Sequence, residues 1–192
     1  MSSDISSLLN PSSVAILGAT EGANRVGGRV MHYMISAGFK GEVYPVNPKR
    51  ETVHGLKAYA SVEDLPTGID CAVLAIPAKA VIPSLKALAT KGVTGAIVFS
   101  SGFAEMGEEG ERMQEELGQA ALDAGIRMLG PNCLGAFNAH CGFMGTFSSN
   151  LLDQLPTPGS VGVISQSGAF GAHLYTLAQA RNIGLSYWIT TG

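Results

Sequence analysis

Short aliphatic runs recur along the chain, with amphipathic stretches between them. The runs expected to form strands are Ser13–Gly18, Glu42–Val46, Asp70–Ile76, Thr94–Ser100, Ile126–Leu129, Val161–Ser165 and Leu185–Thr190. Runs such as CAVLAI and GAIVF lack polar alternation, which suits strands covered on both faces of a parallel sheet. Helical spacing sets Val26, Val30, Tyr33, Met34 and Ala37 on one face of Arg25–Ala37. It does the same for Val81, Leu85, Leu88 and Ala89 in Ala80–Lys91. The stretch Glu108–Ala124 opens on acidic side chains, which favour a helix N-terminus, and stops at Gly125, a residue type suited to closing a helix. Strand, helix and strand in repetition predict an α/β fold with a doubly wound parallel sheet.

The rhythm breaks at Asn138–Gly159, a polar stretch ending in Pro156, Pro158 and Gly159, which is expected to connect two domains. Beyond it a strand, a turn, a helix and a strand restart the pattern. Three such elements make a small domain on their own and read as the opening of a larger one. The expected organisation is a first domain over 1–137, a connector over 138–159 and an incomplete second domain over 160–192.

Composition narrows the class. The 192 residues are 46% hydrophobic and 14% charged, which describes a globular protein with ample core. The net charge is −3 and the basic residues are scattered, which argues against a nucleic-acid surface. No apolar run reaches the roughly 18 residues of a membrane span. The opening MSSDISSLLN has neither the basic start nor the long apolar segment of a secretory leader. Cys71, Cys133 and Cys141 are odd in number and form no C-x-x-C pair, unlike a disulfide framework or a structural zinc site. The expectation is a cytoplasmic protein without a bound metal.

The candidate chemistry lies at the strand ends. In an open parallel sheet, ligands bind beyond the carboxyl ends of the strands. Those ends read Gly18-Ala19-Thr20, Asn47-Pro48-Lys49-Arg50, Pro77, Ser100-Ser101-Gly102 and Gly130-Pro131-Asn132-Cys133. The first lies in VAILGATEGANRVGGRVMHYM, a strand, a glycine-containing turn and a helix that would offer backbone N–H groups to a phosphate. Thr20 and Ala23 stand where a dinucleotide fingerprint has its second and third glycines. An NAD site usually has an acidic residue at the second strand end, whereas here Lys49 and Arg50 stand there. Cations suit a phosphate on the adenosine ribose, carried by NADP at the 2′ position and by coenzyme A at the 3′ position. Pro77 sets the turn into the next helix.

The segments PSSVAILGAT, VYPVNPKRETVHGLKAYASVEDLP, DCAVLAIPAKAV, AIVFSSGFAEMG, GPNCLGAFN and PGSVGVISQSGAFG occur in the order seen in the NDP-forming acyl-CoA synthetases. From Pro11 onward the chain resembles that family, which includes ADP-forming acetyl-CoA synthetase and the succinyl-CoA synthetase α subunit. The resemblance implies a Rossmann-like CoA-binding domain followed by a flavodoxin-like domain. It implies that Thr20, Glu21, Gly22, Ala23 and Arg25 meet the CoA phosphates, with Lys49, and Arg50 as its substitute, at the second strand end. Phe99, Ser100 and Ser101 would lie beside the pantetheine arm, and Asn132 and Cys133 near the thiol. Gly18, Asn47 and Pro77 complete the candidate set.

Ser165, Gln166, Ser167 and Gly168 would receive a phosphate carried by a phosphohistidine. That histidine has no counterpart among His32, His54, His140 and His173. The implied reaction joins a carboxylic acid to CoA through an acyl phosphate, with ATP and Mg²⁺ handled by an ATP-grasp domain or subunit. An unfinished second domain would seek a partner surface, so an oligomer is compatible. Two rival readings are a non-catalytic CoA-sensing module of a protein acyltransferase and an NADP-dependent oxidoreductase. A serine-hydrolase reading fails because Ser167 lies in S-Q-S-G, not G-x-S-x-G.

Overall fold

The computed structural model describes residues 4–192, so the first three residues of the opening segment, and of the span 1–137, lie outside it. In chain order the elements are α1 (Ser6–Leu9), β1 (Ser13–Leu17), α2 (Val26–Ser36), β2 (Glu42–Val46), β3 (Thr52–Val53), β4 (Leu56–Lys57), β5 (Cys71–Leu74), α3 (Val81–Thr90), β6 (Gly95–Val98) and α4 (Glu108–Asp123). They continue with β7 (Arg127–Leu129), β8 (Gly135–Asn138), β9 (Phe143–Thr146), β10 (Pro158–Ser165), α5 (Gly168–Ala180) and β11 (Leu185–Thr190). No helix among the described residues is long and apolar enough to cross a membrane.

The first sheet is parallel throughout, in the order β2-β1-β5-β6-β7. Its direction of winding reverses between β1 and β5, and that is where an open α/β sheet forms a crevice. Alternate residues of each strand point to opposite faces. Val14, Ile16, Val73 and Ile97 pack with Val30, Met31, Tyr33 and Met34 of α2. Ala15, Leu17, Leu74 and Val98 pack with Val81, Leu85 and Leu88 of α3 and Leu117 of α4. Val26, expected on the buried face of α2, is exposed, and the first turn of the helix instead packs on the β1–α2 turn through Gly27 and Gly28. Helix α4 ends as expected, with Gly125 at φ +68°.

The stretch expected to be a polar connector is partly core. Strands β8 and β9 form an antiparallel hairpin, and β8 pairs with β11 in a second sheet of order β10-β11-β8-β9. Every residue of β9 is buried. Phe137, Phe143 and Trp188 share one core with α2, so the two sheets are not separated by a free linker. The expectation missed the hairpin because its strands are four residues each and are broken by Gly135, Gly142 and Gly145. Strand β10 is an edge strand, with Val161 and Ile164 exposed.

Candidate functional site

The turn between β1 and α2 is a candidate anion cradle made of backbone. The N–H groups of Thr20, Glu21, Gly22, Ala23 and Asn24 find no hydrogen-bond acceptor among the described residues. Three of the turn's carbonyls, in contrast, are tied. Ala19 O accepts from Asn47 Nδ2 at 2.8 Å, Gly22 O from the Arg25 N–H at 3.0 Å, and Ala23 O from Arg29 Nε at 3.1 Å. Helix α2 starts at Val26 and directs the positive end of its dipole at the same place. Close approach of helix and turn depends on two glycines that the fingerprint spacing did not reveal. A Cβ on Gly27 would overlap Gly18 O, and one on Gly28 would overlap Gly22 O and lie 2.7 Å from Thr20 Oγ1. The sequence signal was the pair itself, V-G-G inside an amphipathic helix.

At the second strand end the residues divide. Asn47 is half-buried and both ends of its amide are engaged, Nδ2 donating to Ala19 O and Oδ1 accepting the Lys49 N–H, each at 2.8 Å, so it shapes the site from behind. Lys49, Arg50 and Arg25 are exposed around the turn. Glu21 is turned toward the β3–β4 hairpin, where its carboxylate accepts the His54 N–H at 2.9 Å and lies 3.7 Å from the His54 ring. Glu21 therefore offers the cradle its N–H, while its charge faces His54.

Beside the turn, at the switch point between β1 and β5, an apolar groove of ≈ 360 Å³ is lined by Gly18, Val46, Pro48, Val62, Ile76 and Pro77. Its mostly apolar lining and neighbouring cations suit a flat heterocycle attached to phosphates.

The remaining strand ends are mostly internal. Ser100 donates its hydroxyl to Ile76 O at 2.5 Å, and Phe99 is buried with its ring edge-on to Phe147, centroids 4.8 Å apart. Ser101 and Asn132 are exposed, and Asn132 adopts a left-handed φ of +55° after the cis Gly130–Pro131 bond. The next loop is held by Glu105. The Gly102 N–H on its carboxylate, despite partial desolvation, holds its pKa below the usual carboxylate value.

Cys133, in the turn expected near the ligand's thiol, is a packing residue. Its Sγ sits 3.5 Å from Val98 O, it is 3% exposed, and burial pushes its pKa up to about 12. Native protein treated with iodoacetamide at about pH 8 is expected to be modified at the half-buried Cys141 and not at Cys71 or Cys133. Mass spectrometry reads the outcome, and native-state labelling of Cys133 would contradict its placement.

The second candidate anion site stands at the start of α5. Ser167 caps the helix by accepting the Phe170 N–H at 3.2 Å, and Ser165 Oγ donates to Ser167 O at 2.9 Å. The Gly168 and Ala169 N–H groups find no acceptor among the described residues. Gly168 rests on Leu134, where an added Cβ would lie 2.9 Å from Leu134 Cγ. The chain after β11 also reaches this corner, with Gly192 against Pro131 and Asn132. The structure thus brings Ser165–Gly168 next to the Asn132 turn. The two groups are far apart in sequence, and joining them required the β8–β11 pairing.

A model described as a CoA binding domain matches residues 12–139, and one described as a succinyl-CoA ligase like flavodoxin domain matches residues 158–192. The chain is 42% identical over 190 residues to a trans-feruloyl-CoA synthase from an unknown prokaryotic organism, covering 98% of this chain and 27% of that protein. It is 37% identical over 187 residues to the α subunit of the ADP-forming acetate–CoA ligase II of Pyrococcus furiosus, covering 95% of this chain and 39% of that subunit. Among solved structures, an acetyl-coenzyme A synthetase of Candidatus Korarchaeum cryptofilum in complex with phosphate and ADP superimposes with a TM-score of 0.91 at 37% identity. That match covers 98% of this chain and 39% of the other. The chain therefore spans well under half the length of these relatives.

Proposed function

Because the chain belongs to the family of CoA-binding domains, we propose that its cradle and groove hold coenzyme A for acyl-CoA synthesis by a longer, NDP-forming ligase. The observation that carries the reading is the row of free N–H groups from Thr20 to Asn24, set between an apolar groove and a cluster of cations. The diphosphate lies on the cradle, and the adenine lies in the groove between Pro48, Val62, Ile76 and Pro77. Lys49 and Arg50 meet the ribose 3′-phosphate, a charge-assisted contact that a ligand lacking this phosphate forfeits. The pantetheine arm runs past Ser101 toward Asn132. There the thiol arrives beside the α5 N-terminus, whose Gly168 and Ala169 N–H groups steady a transferred phosphoryl group. The thiol gives up its proton and attacks the carbonyl of an acyl phosphate, the S–C bond forms, the C–O bond to phosphate breaks, and the phosphate, taking up the thiol's proton, leaves as hydrogen phosphate toward that helix end.

The acid substrate, ATP, Mg²⁺ and the phosphohistidine belong in this reading to the longer protein or its ATP-grasp partner. Relatives acting on acetate, 4-hydroxybutyrate and ferulate support a carboxylic acid as the substrate class. The reading sets the reaction in the cytoplasm, where both CoA and ATP are supplied. Isothermal titration tests the binding half. CoA is expected to bind, and a Lys49→Ala, Arg50→Ala double variant is expected to lose roughly tenfold in affinity for CoA and little for dephospho-CoA. Binding of NADPH in preference to CoA would overturn the reading.

A further inference from the structure

We propose that Arg29 is a positioning residue that orients the phosphate cradle from behind without touching the ligand, an inference that rests on CoA phosphates occupying that cradle. Arg29 is half-buried in the first turns of α2 and belongs to none of the strand-end motifs. Its guanidinium holds two carbonyls that are distant in sequence, Ala23 O through Nε at 3.1 Å and Phe147 O through Nη1 at 2.8 Å.

The consequence follows from peptide geometry. In a trans peptide the C=O and the following N–H point in opposite directions. With Ala23 O fixed on Arg29, the Asn24 N–H is aimed away from Arg29, and it finds no acceptor among the described residues. Asn47 does the same one turn earlier, fixing Ala19 O and so aiming the Thr20 N–H outward. Without these ties each peptide could rotate and present its carbonyl oxygen, a repulsive group, to an incoming phosphate.

Arg29 also joins the cradle to the second anion site. Phe147 donates its N–H to Leu134 O at 3.4 Å, and Leu134 is the residue on which Gly168 rests. Tyr33, one turn further along α2, binds the next carbonyl, Ser148 O, at 2.8 Å. The guanidinium is thus one link in a chain of contacts from the α2 N-terminus to the α5 N-terminus.

Arg29→Lys separates charge from orientation. Lysine keeps the positive charge but lacks the planar fork that reaches two carbonyls at once. The full chain and the variant are titrated with CoA and dephospho-CoA, with circular dichroism as a check on folding. Arg29→Lys is expected to weaken both ligands by about tenfold, leaving their ratio unchanged. In ¹⁵N spectra the Asn24 amide is expected to shift on addition of CoA in the parent chain and to shift much less in the variant.

Affinity equal to the parent's would overturn the proposal, because charge alone would then suffice. A changed CoA to dephospho-CoA ratio would also overturn it, by placing Arg29 at the 3′-phosphate. If Arg29→Lys does not fold, Asn47→Ala decides by the same titration: a common loss supports orientation of the cradle and parent-like binding opposes it. Failure of the parent chain itself to bind CoA would instead remove the functional reading on which the positioning role stands.

Discussion

Gly28→Ala is expected to abolish measurable CoA binding, with a loss above about 100-fold, or roughly 2.7 kcal/mol. The added methyl overlaps Gly22 O and crowds Thr20 Oγ1, both inside the phosphate cradle. The atoms met are backbone and a buried hydroxyl, so no flexible side-chain end can swing aside. Overpacking of this kind typically costs about 1–3 kcal/mol in stability. The larger effect falls on binding, because the part that must move is the turn that presents the N–H groups. Gly118→Ala is the control. It also replaces a helical glycine, but nothing lies within 4 Å of its new methyl, and it is expected to stabilise by about 0.5–1 kcal/mol. Urea denaturation and titration of both variants separate the two effects, and parent-like CoA affinity in Gly28→Ala would refute the tight helix–turn contact.

Trp188→Ala is expected to destabilise the chain by about 4 kcal/mol. The indole of Trp188, the single tryptophan, is fully buried, stacks on Phe137 at 5.7 Å and donates Nε1 to Gly171 O at 2.8 Å. Truncation removes the packing and leaves that carbonyl without its indole donor. A loss of that size is a large part of a typical domain's stability. Because Phe137, Phe143 and α2 share this core, the loss is expected to appear in the whole unfolding transition and not in a separate small step. A change below about 1 kcal/mol would show that the second sheet is not packed on the first as described.

These positions also show what was legible in the sequence. The three inner parallel strands β1, β5 and β6 announced themselves as unbroken apolar runs, since strands buried on both faces carry no polar alternation to obscure them. Helices α3 and α4 were equally plain, α3 from its apolar face and α4 from its acidic start and its stop at Gly125. The β8–β9 hairpin escaped because four-residue strands interrupted by glycine have too few positions to show a period. At the candidate site, residue type and strand end pointed to one edge of the sheet but could not say which way a side chain faces. Asn47, Ser100 and Cys133 are polar and stand in the right loops, yet their polar atoms bind neighbouring backbone. Arg29 and Gly28 shape the same cradle from within a helix, where spacing marks only a solvent face and a core face. Orientation of individual peptides is a tertiary property, set here by partners as far along the chain as Phe147.

The most direct test of the account is a crystal structure of the chain soaked or grown with CoA. The account predicts the diphosphate within hydrogen-bond distance of the Thr20 to Asn24 N–H groups and the adenine between Pro48, Val62 and Pro77. It further predicts the 3′-phosphate at Lys49 or Arg50 and the thiol end beside Asn132, near the start of α5. Density for CoA elsewhere on the chain, or an empty cradle at saturating ligand, would contradict it.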